Sequence, residues 1–467
     1  MDDPMAEIDR QALLAMHPLV NEIARQCAGE MHLPGMQWGI VLNGELVLVG
    51  SVGVITDQST RYRIASMTKS FTAAAVLSLR DEGVLALDVP VGLYAPELAD
   101  VVGPDSSPPI TLRHLLSMSS GLATDDAWAD RHLDATAEEM DRIYADGPEF
   151  AFATGTNFEY SNLGFALIGR VVERLTGRKV RDHIDERFLR PLSMSATTWD
   201  QPHHAPWAEP LRFADNTHIA DGAPLLGDGE ISPMGGLWST VADVARWMCW
   251  LDEANAGRDS LTGQLSIASR REMQSVHTFI GDSELDGQSA PGGYGFGLLL
   301  RDDPLLGMTV SHSGGLPGYG SNMRWLSGRG LGVVGLSNVT YAPMGVFTQR
   351  VLKLFHSADL IRQSVTPLSP LLQQRVTQLI ELLNDWNDEQ ARAIFADNVE
   401  LDTSLMIRQM AAERIVAECG RLHVEEIQAQ SRTSATVILR GTTGQQKIKL
   451  ELSPKHGGLV QWYGTSA

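Results

Sequence analysis

Tyr62-Arg63-Ile64-Ala65-Ser66-Met67-Thr68-Lys69-Ser70-Phe71-Thr72 is the stretch from which the rest of the chain is read. Tyr62 and Ile64 are β-formers on alternate sides of an extended backbone, so the first four residues read as the end of a strand. From Phe71 the pattern turns helical, through Ala73, Ala74, Ala75, Val76, Leu77 and Leu79, and stops at Gly83, a residue suited to the position after a helix end. Ser66 therefore lies where a strand hands over to a helix N-terminus. Lys69, three residues on, falls on the same helix face, within reach of the Ser66 hydroxyl. A serine becomes a nucleophile when a neighbouring base takes its proton, and a buried lysine with a lowered pKa can be that base. The unpaired N–H groups of the helix start can hold an oxyanion. Ser-x-x-Lys recurs by chance, but this chain has six lysines (69, 179, 353, 447, 449 and 455) against 31 arginines, and of the six only Lys69 follows a serine at that spacing.

Composition sets the frame. At 467 residues, 43% hydrophobic and 20% charged, the chain has the make-up of a globular protein with two or three domains' worth of core. Its formal charge of −20 argues against nucleic acid and anionic membrane surfaces as partners. Cys27, Cys249 and Cys419 are scattered and odd in number, which favours free thiols and a reducing compartment over disulfides. The acidic start, Met1-Asp2-Asp3-Pro4, does not read as a signal peptide, and no apolar run of about 20 residues occurs. A cytoplasmic location is the expectation, with periplasmic or secreted as the alternative if a leader has been removed.

Along the chain, residues 6–29 show helical spacing. Two apolar runs, 36–42 and 45–50, flank Asn43-Gly44, which predicts a β-hairpin with a type I′ turn. The strand before Ser66 is expected to join the same sheet. Within an expected inserted helical region of about 84–235, residues 84–190 are mostly helical and broken by turns, with Thr111 capping a helix over 112–118 and a clear helix from Ser161 or Asn162 to Gly177. Residues 123–134 read as a loop over something, and 200–230 as a long loop of the kind that serves a site. Thr240 caps a further helix. Four strand-like runs follow at 294–301, 308–312, 320–326 and 331–338, then a closing helix from Val346 to Phe355. A first domain over 1–360 is expected. A separate small α+β domain over 368–467 shows two helical stretches, four strand candidates and no catalytic cluster.

Two other stretches carry chemistry. Tyr160-Ser161-Asn162, just before a helix, offers a phenol, a hydroxyl and an amide to one cavity. Beside an ammonium the tyrosine can shift towards phenolate and act as general base, later returning the proton. His312-Ser313-Gly314-Gly315 reads as a strand edge whose glycines let substrate approach the backbone, and whose N–H groups can complete an oxyanion hole with that of Ser66. His312 can bond to the tyrosine or to a substrate carboxylate. Each stretch alone has an ordinary structural explanation, a capped helix start or a turn. The histidines show no metal-ligand spacing, and no dinucleotide fingerprint, Walker lysine or Gly-x-Ser-x-Gly elbow is present.

Taken together, Ser66-x-x-Lys69, Tyr160-Ser161-Asn162 and His312-Ser313-Gly314 resemble the serine β-lactamase and penicillin-binding-protein-like family, in its class C branch. The flanking 62–65, 115–122, 191–194 and 235–240 segments match it too, so the resemblance covers about residues 30–356. It implies an α+β fold, an antiparallel sheet flanked by helices with an inserted all-helical region, and a site at their junction. It implies that Ser66 is acylated, that Lys69 and Tyr160 share base and acid duties, and that His312 belongs to the catalytic set. Asn162, Gly314, Gly315 and Tyr319 would bind substrate, with Ser66 and Gly315 N–H groups as the oxyanion hole. No metal or organic cofactor is implied.

Departures from the family pattern bear on substrate. Class C β-lactamases carry a lysine where this chain has His312, and a histidine there resembles the family's DD-peptidases and D-aminopeptidases. Ser193 stands where the family usually has glycine. The resemblance thus implies first a peptidase or amidase for small peptides, including those with D- or non-standard residues. The alternatives are a carboxylesterase or lactonase, a β-lactamase, or a non-catalytic binding or structural member. The expected partner is a small molecule or short peptide, with the C-terminal domain a candidate surface for a homo-oligomer.

Overall fold

Asn43 and Gly44 both adopt positive φ, 51° and 89°, as a type I′ turn requires, and join β1 (Gly35–Leu42) to β2 (Glu45–Gly53). In the computed structural model, which describes residues 8–221, 225–361 and 368–465, this hairpin is one edge of an eight-stranded antiparallel sheet. The other strands are β3 (Thr278–Leu285), β4 (Gln288–Tyr294), β5 (Leu299–Asp303), β6 (Gly307–Leu316), β7 (Tyr319–Leu326) and β8 (Leu331–Ser337), in the order β2-β1-β8-β7-β6-β5-β4-β3. The sheet is thus built from both ends of its unit, as the strand pattern predicts. Sequence reading missed β3, whose residues are partly buried or exposed, and almost all of β4, which carries Pro291 and two glycines that read as loop. A signal was present: Asp286-Gly287, with φ of 51° and 73°, is a second hairpin turn of the Asn43-Gly44 kind.

The strand before Ser66 does not join this sheet. Tyr62–Arg63 pairs instead with Trp238–Ser239 in a two-stranded ribbon of its own. The expected N-terminal helix is two, Arg10–Ala15 and α1 (His17–Glu30), separated at Met16. Between 84 and 235 the described residues alternate helices with long loops, and one short hairpin, Leu211–Ala214 with Thr217–Ala220, lies inside the stretch read as a loop; residues 222–224 of that stretch lie outside the described ones.

The helices that matter for the site are α2 (Thr68–Asp81), α3 (Asn162–Thr176), α4 (Val241–Asn255) and α5 (Met344–Ser357). One face of the sheet is covered by α4; α1 and α5 cover the other. Each face thereby seals its own apolar core. Helix α2 is buried over Thr68–Leu79, including its polar residues, so it is a central helix and not a surface one. It is fixed to α4 by Trp247, whose ring stacks on Phe71 at 3.9 Å and whose indole N–H donates to Ser70 Oγ at 2.9 Å.

The described residues fall into two compact units, one within Ile8–Arg362 and one within Gln363–Ala467. The second has helices Pro370–Asn384, Asp388–Ile394, Val399–Asp402 and Leu405–Cys419, then an antiparallel meander of His423–Ala429, Ser434–Arg440, Gln445–Leu452 and Val460–Thr465. Its own apolar core is built from Leu379, Leu383, Val437, Ile448 and Leu450 among others.

Because Trp247 is fully buried against the helix that carries Lys69, Trp247→Ala should lower unfolding stability by about 3–5 kcal/mol. Denaturant melts of the two proteins check this; a loss below about 1 kcal/mol would mean that this contact does not hold α2.

Candidate active site

Ser66 sits in a 3-10 turn, Ala65–Met67, between the Tyr62–Arg63 ribbon and α2. Ala65 takes φ 49°, a left-handed conformation that an L-residue adopts only when its surroundings force it. The surroundings are visible. Ile64 O accepts from Ser321 Oγ on β7 at 2.8 Å, and Ile64 N donates to Leu237 O at 3.0 Å. The end of β6 lies against the same turn: a Cβ on Gly314 would meet Ile64 O at 2.1 Å. That glycine is therefore required by close packing beside the nucleophile. Gly315 follows it along the cavity wall.

Lys69 is fully buried, and its Nζ has three oxygen neighbours. It donates to Ser66 Oγ at 3.0 Å, Asn162 Oδ1 at 2.6 Å and Met234 O at 2.9 Å. Met234 is held there by α2 and α3 together: Thr72 Oγ1 donates to Pro233 O at 2.7 Å, and Gly169 of α3 leaves room for the Pro233 ring. Burial pulls the Lys69 ammonium down to about 7, against the opposing pull of Asp126, Asp130 and Asp125. The Tyr160 ring lies under Nζ, 4.8 Å from its centroid, and its phenol lies beside the Ser66 hydroxyl. Burial pushes that phenol well above its ordinary range. The two shifts share a cause, and they favour a neutral amine on Lys69 and a neutral phenol on Tyr160.

His312 is brought to the same cavity with its ring 6.4 Å from that of Tyr160, centroid to centroid, but its hydrogen bonds go elsewhere. Its Nδ1 donates to Ser313 O at 2.6 Å, so its Nε2 is the acceptor for the Tyr294 hydroxyl at 3.0 Å. Burial and the Lys69 charge lower its pKa to about 3. The imidazole is neutral and both nitrogens are in use. Tyr294, the last residue of β4 and the first of the expected 294–301 run, is not singled out by the sequence because no motif marks it.

Tyr319 is misplaced by the sequence reading. It is buried outside the cavity, its hydroxyl donating to Ala208 O at 2.8 Å and its ring set edge-on to Trp238. The aromatic at the mouth is Tyr341, which packs over Gly315 and donates to Asp130 Oδ2 at 2.8 Å. Asp126 and Asp130, on the segment read as a loop over something, form the facing wall of the cavity, whose volume is about 310 Å³. Burial raises the Asp130 carboxyl to about 7. No residue pattern marks Asp126, Asp130 or Tyr341; only the fold brings them to Ser66. Leu225 and Leu226, from the 200–230 stretch, line a small neighbouring recess with Arg63 and Tyr319, and Asp130 lines both that recess and the cavity.

Residues 20–356 match the family model described as Beta-lactamase, and the chain belongs to the beta-lactamase family, whose members include serine hydrolases such as esterases and amidohydrolases. It is 29% identical over 390 residues to Esterase EstB of Burkholderia gladioli, covering 73% of this chain and 95% of that one. It is 28% identical over 333 residues to Protein flp of Staphylococcus aureus (strain MW2), across 67% of this chain but 61% of that longer relative. The octameric penicillin-binding protein homologue from Pyrococcus abyssi shares the fold with a TM-score of 0.62 at 19% identity, covering 96% of this chain and 98% of its own. A D-stereospecific amidohydrolase from Streptomyces sp. does so with a TM-score of 0.59 at 24% identity, covering 72% of this chain and 98% of its own. Among the described residues no helix is long and apolar enough to cross a membrane.

With Lys69 near 7 and active only when neutral, kcat/KM should rise with pH through about 7. Asp130 also titrates near 7, so the pH–rate profile of Asp130→Asn is the control: the acid limb should persist, moved to lower pH. Disappearance of the limb in that variant would assign it to Asp130.

Proposed function

We propose that the chain hydrolyses small acyl compounds through an acyl-enzyme on Ser66, with amides and short peptides as the leading substrates. The observation that carries this reading is the 3.0 Å contact between the Ser66 hydroxyl and a fully buried lysine whose ammonium is destabilised. Ser66 Oγ attacks the substrate carbonyl as Lys69 takes its proton. The N–H groups of Ser66 and Gly315 receive the oxyanion. Tyr160, next to both Ser66 and Lys69, passes the proton to the leaving nitrogen or oxygen. Water, activated by the same base, then releases the acyl group and restores the hydroxyl.

The charge of the cavity narrows the substrate. Its lining among the described residues has Asp126 and Asp130 but no lysine or arginine, and His312 is neutral. A substrate carboxylate finds no cation there, which disfavours β-lactams and peptides bound by their C-terminus. A neutral or amine-bearing acyl group fits. A second reading, ester hydrolysis, is supported by the similarity to Esterase EstB over nearly that protein's whole length. The amidohydrolase neighbour supports the first through its fold. Self-association is also proposed, on the likeness to an octameric homologue that extends over 96% of the chain.

The test is intact-protein mass and turnover with alanine p-nitroanilide, its N-succinyl derivative and p-nitrophenyl butyrate. Ser66→Ala should form no adduct and lose at least about a thousandfold in kcat. The succinyl compound should fall about tenfold below the free amine, one unfavourable carboxylate contact of about 1.4 kcal/mol. Preference for the succinyl compound would contradict the charge argument, and turnover surviving in Ser66→Ala would contradict the mechanism.

A further inference from the structure

The three partners of Lys69 differ in one respect that decides where its lone pair points. An ammonium donates to all three. A neutral amine has only two N–H bonds to give. Asn162 Oδ1 and Met234 O have no hydrogen of their own and can only accept, whereas Ser66 Oγ bears a proton. The two N–H bonds of neutral Lys69 therefore go to Asn162 and Met234, and the lone pair is left facing the serine hydroxyl. This holds only while the Asn162 amide keeps its oxygen, and not its NH2, towards Lys69.

What fixes the amide is Asp126. Its Oδ1 accepts from Asn162 Nδ2 at 2.7 Å. A carboxylate cannot donate, so a flipped amide would set oxygen against oxygen on one side and NH2 against a donor on the other. The preceding residue holds the backbone: the two carboxylate oxygens of Asp125 accept from the N–H groups of Asn162 and Leu163, each at 2.7 Å, at the start of α3. Asp125-Asp126 thus clamps the Asn162 end of the Tyr160-Ser161-Asn162 stretch by main chain and side chain at once.

We propose that Asp126 is a positioning residue for the reaction, acting through the Asn162 amide to direct the Lys69 lone pair onto Ser66. The inference rests on the reading of Ser66 and Lys69 given above. Asp126 also belongs to the charges around Lys69, which are the carboxylates of Asp125, Asp126 and Asp130, the Tyr160 phenol and the neutral His312 ring. Of the three carboxylates, Asp126 favours the ammonium most.

The experiment is D126N, assayed across pH on uncharged p-nitrophenyl butyrate, where no substrate charge can contact position 126. The residue is solvent-exposed, so the variant should melt with the wild type. An amide at 126 can present either end to Asn162, and the Asn162 orientation is no longer imposed. The expected result is a fall in kcat of about ten- to a hundredfold, with the acid limb moved to lower pH because one carboxylate favouring the ammonium is gone. The proposal is overturned if D126N keeps wild-type kcat, or if kcat falls while the limb stays in place. Either failure leaves the Ser66 adduct forming in the wild type; a wild type that forms none would instead defeat the acyl-enzyme reading itself.

Discussion

The site depends on one unfavourable burial. An ammonium removed from water loses its hydration, and Lys69 has only neutral acceptors in direct contact to replace it. The three carboxylates that favour its charge, Asp125, Asp126 and Asp130, make no hydrogen bond to it and do not overcome burial. Had one of them sat in contact with Nζ, the lysine would stay cationic and Ser66 would have no base. The distance of those charges, with one amide interposed, keeps a lysine near neutrality.

Maintaining that environment explains much of the surrounding structure. The nucleophile turn is held by Ser321 from the sheet and by Leu237 from the ribbon. Trp247 fixes α2, Pro233 and Gly169 set Met234 over Nζ, and Gly314 lets a sheet strand approach the Ser66 turn to contact distance. Ser193 shows the cost of departing from a family glycine: it adopts φ 55°, a conformation that glycine takes without strain. His312 follows the same logic as Lys69 but with the opposite consequence. Buried among neutral partners, it cannot take up the charge that a lysine would bring to this position.

Motif and periodicity carried the reading of the sequence where local physics is strong. Asn43-Gly44, the caps at Thr111, Ser161 and Thr240, and the helix stops at Gly83 and Gly177 all stand where their chemistry indicates. Ser66, Lys69, Tyr160, Asn162, His312 and the Gly314-Gly315 pair are gathered at one cavity or its immediate wall. The remainder depends on long-range pairing. The partner of Tyr62–Arg63 is more than 170 residues away, and nothing local distinguishes that ribbon from the main sheet. Tyr319 and Tyr341 both follow glycine-rich or polar turns near the site, and only the paths of β7 and the segment after β8 decide that the second faces the cavity. Asp126 and Asp130 are two acidic residues in an acidic chain until the fold sets them opposite Ser66.

The central claim is that Lys69 is the neutral base of the resting protein. With six lysines in the chain, the Nζ resonances of protein labelled with 15N-lysine can be assigned using a Lys69→Arg variant, and each titrated. The account predicts one resonance, absent in that variant, with its midpoint near 7, while exposed lysines titrate near their ordinary value of about 10.4. A Lys69 midpoint at that ordinary value would contradict it, because the serine would then face an ammonium throughout the working range of pH.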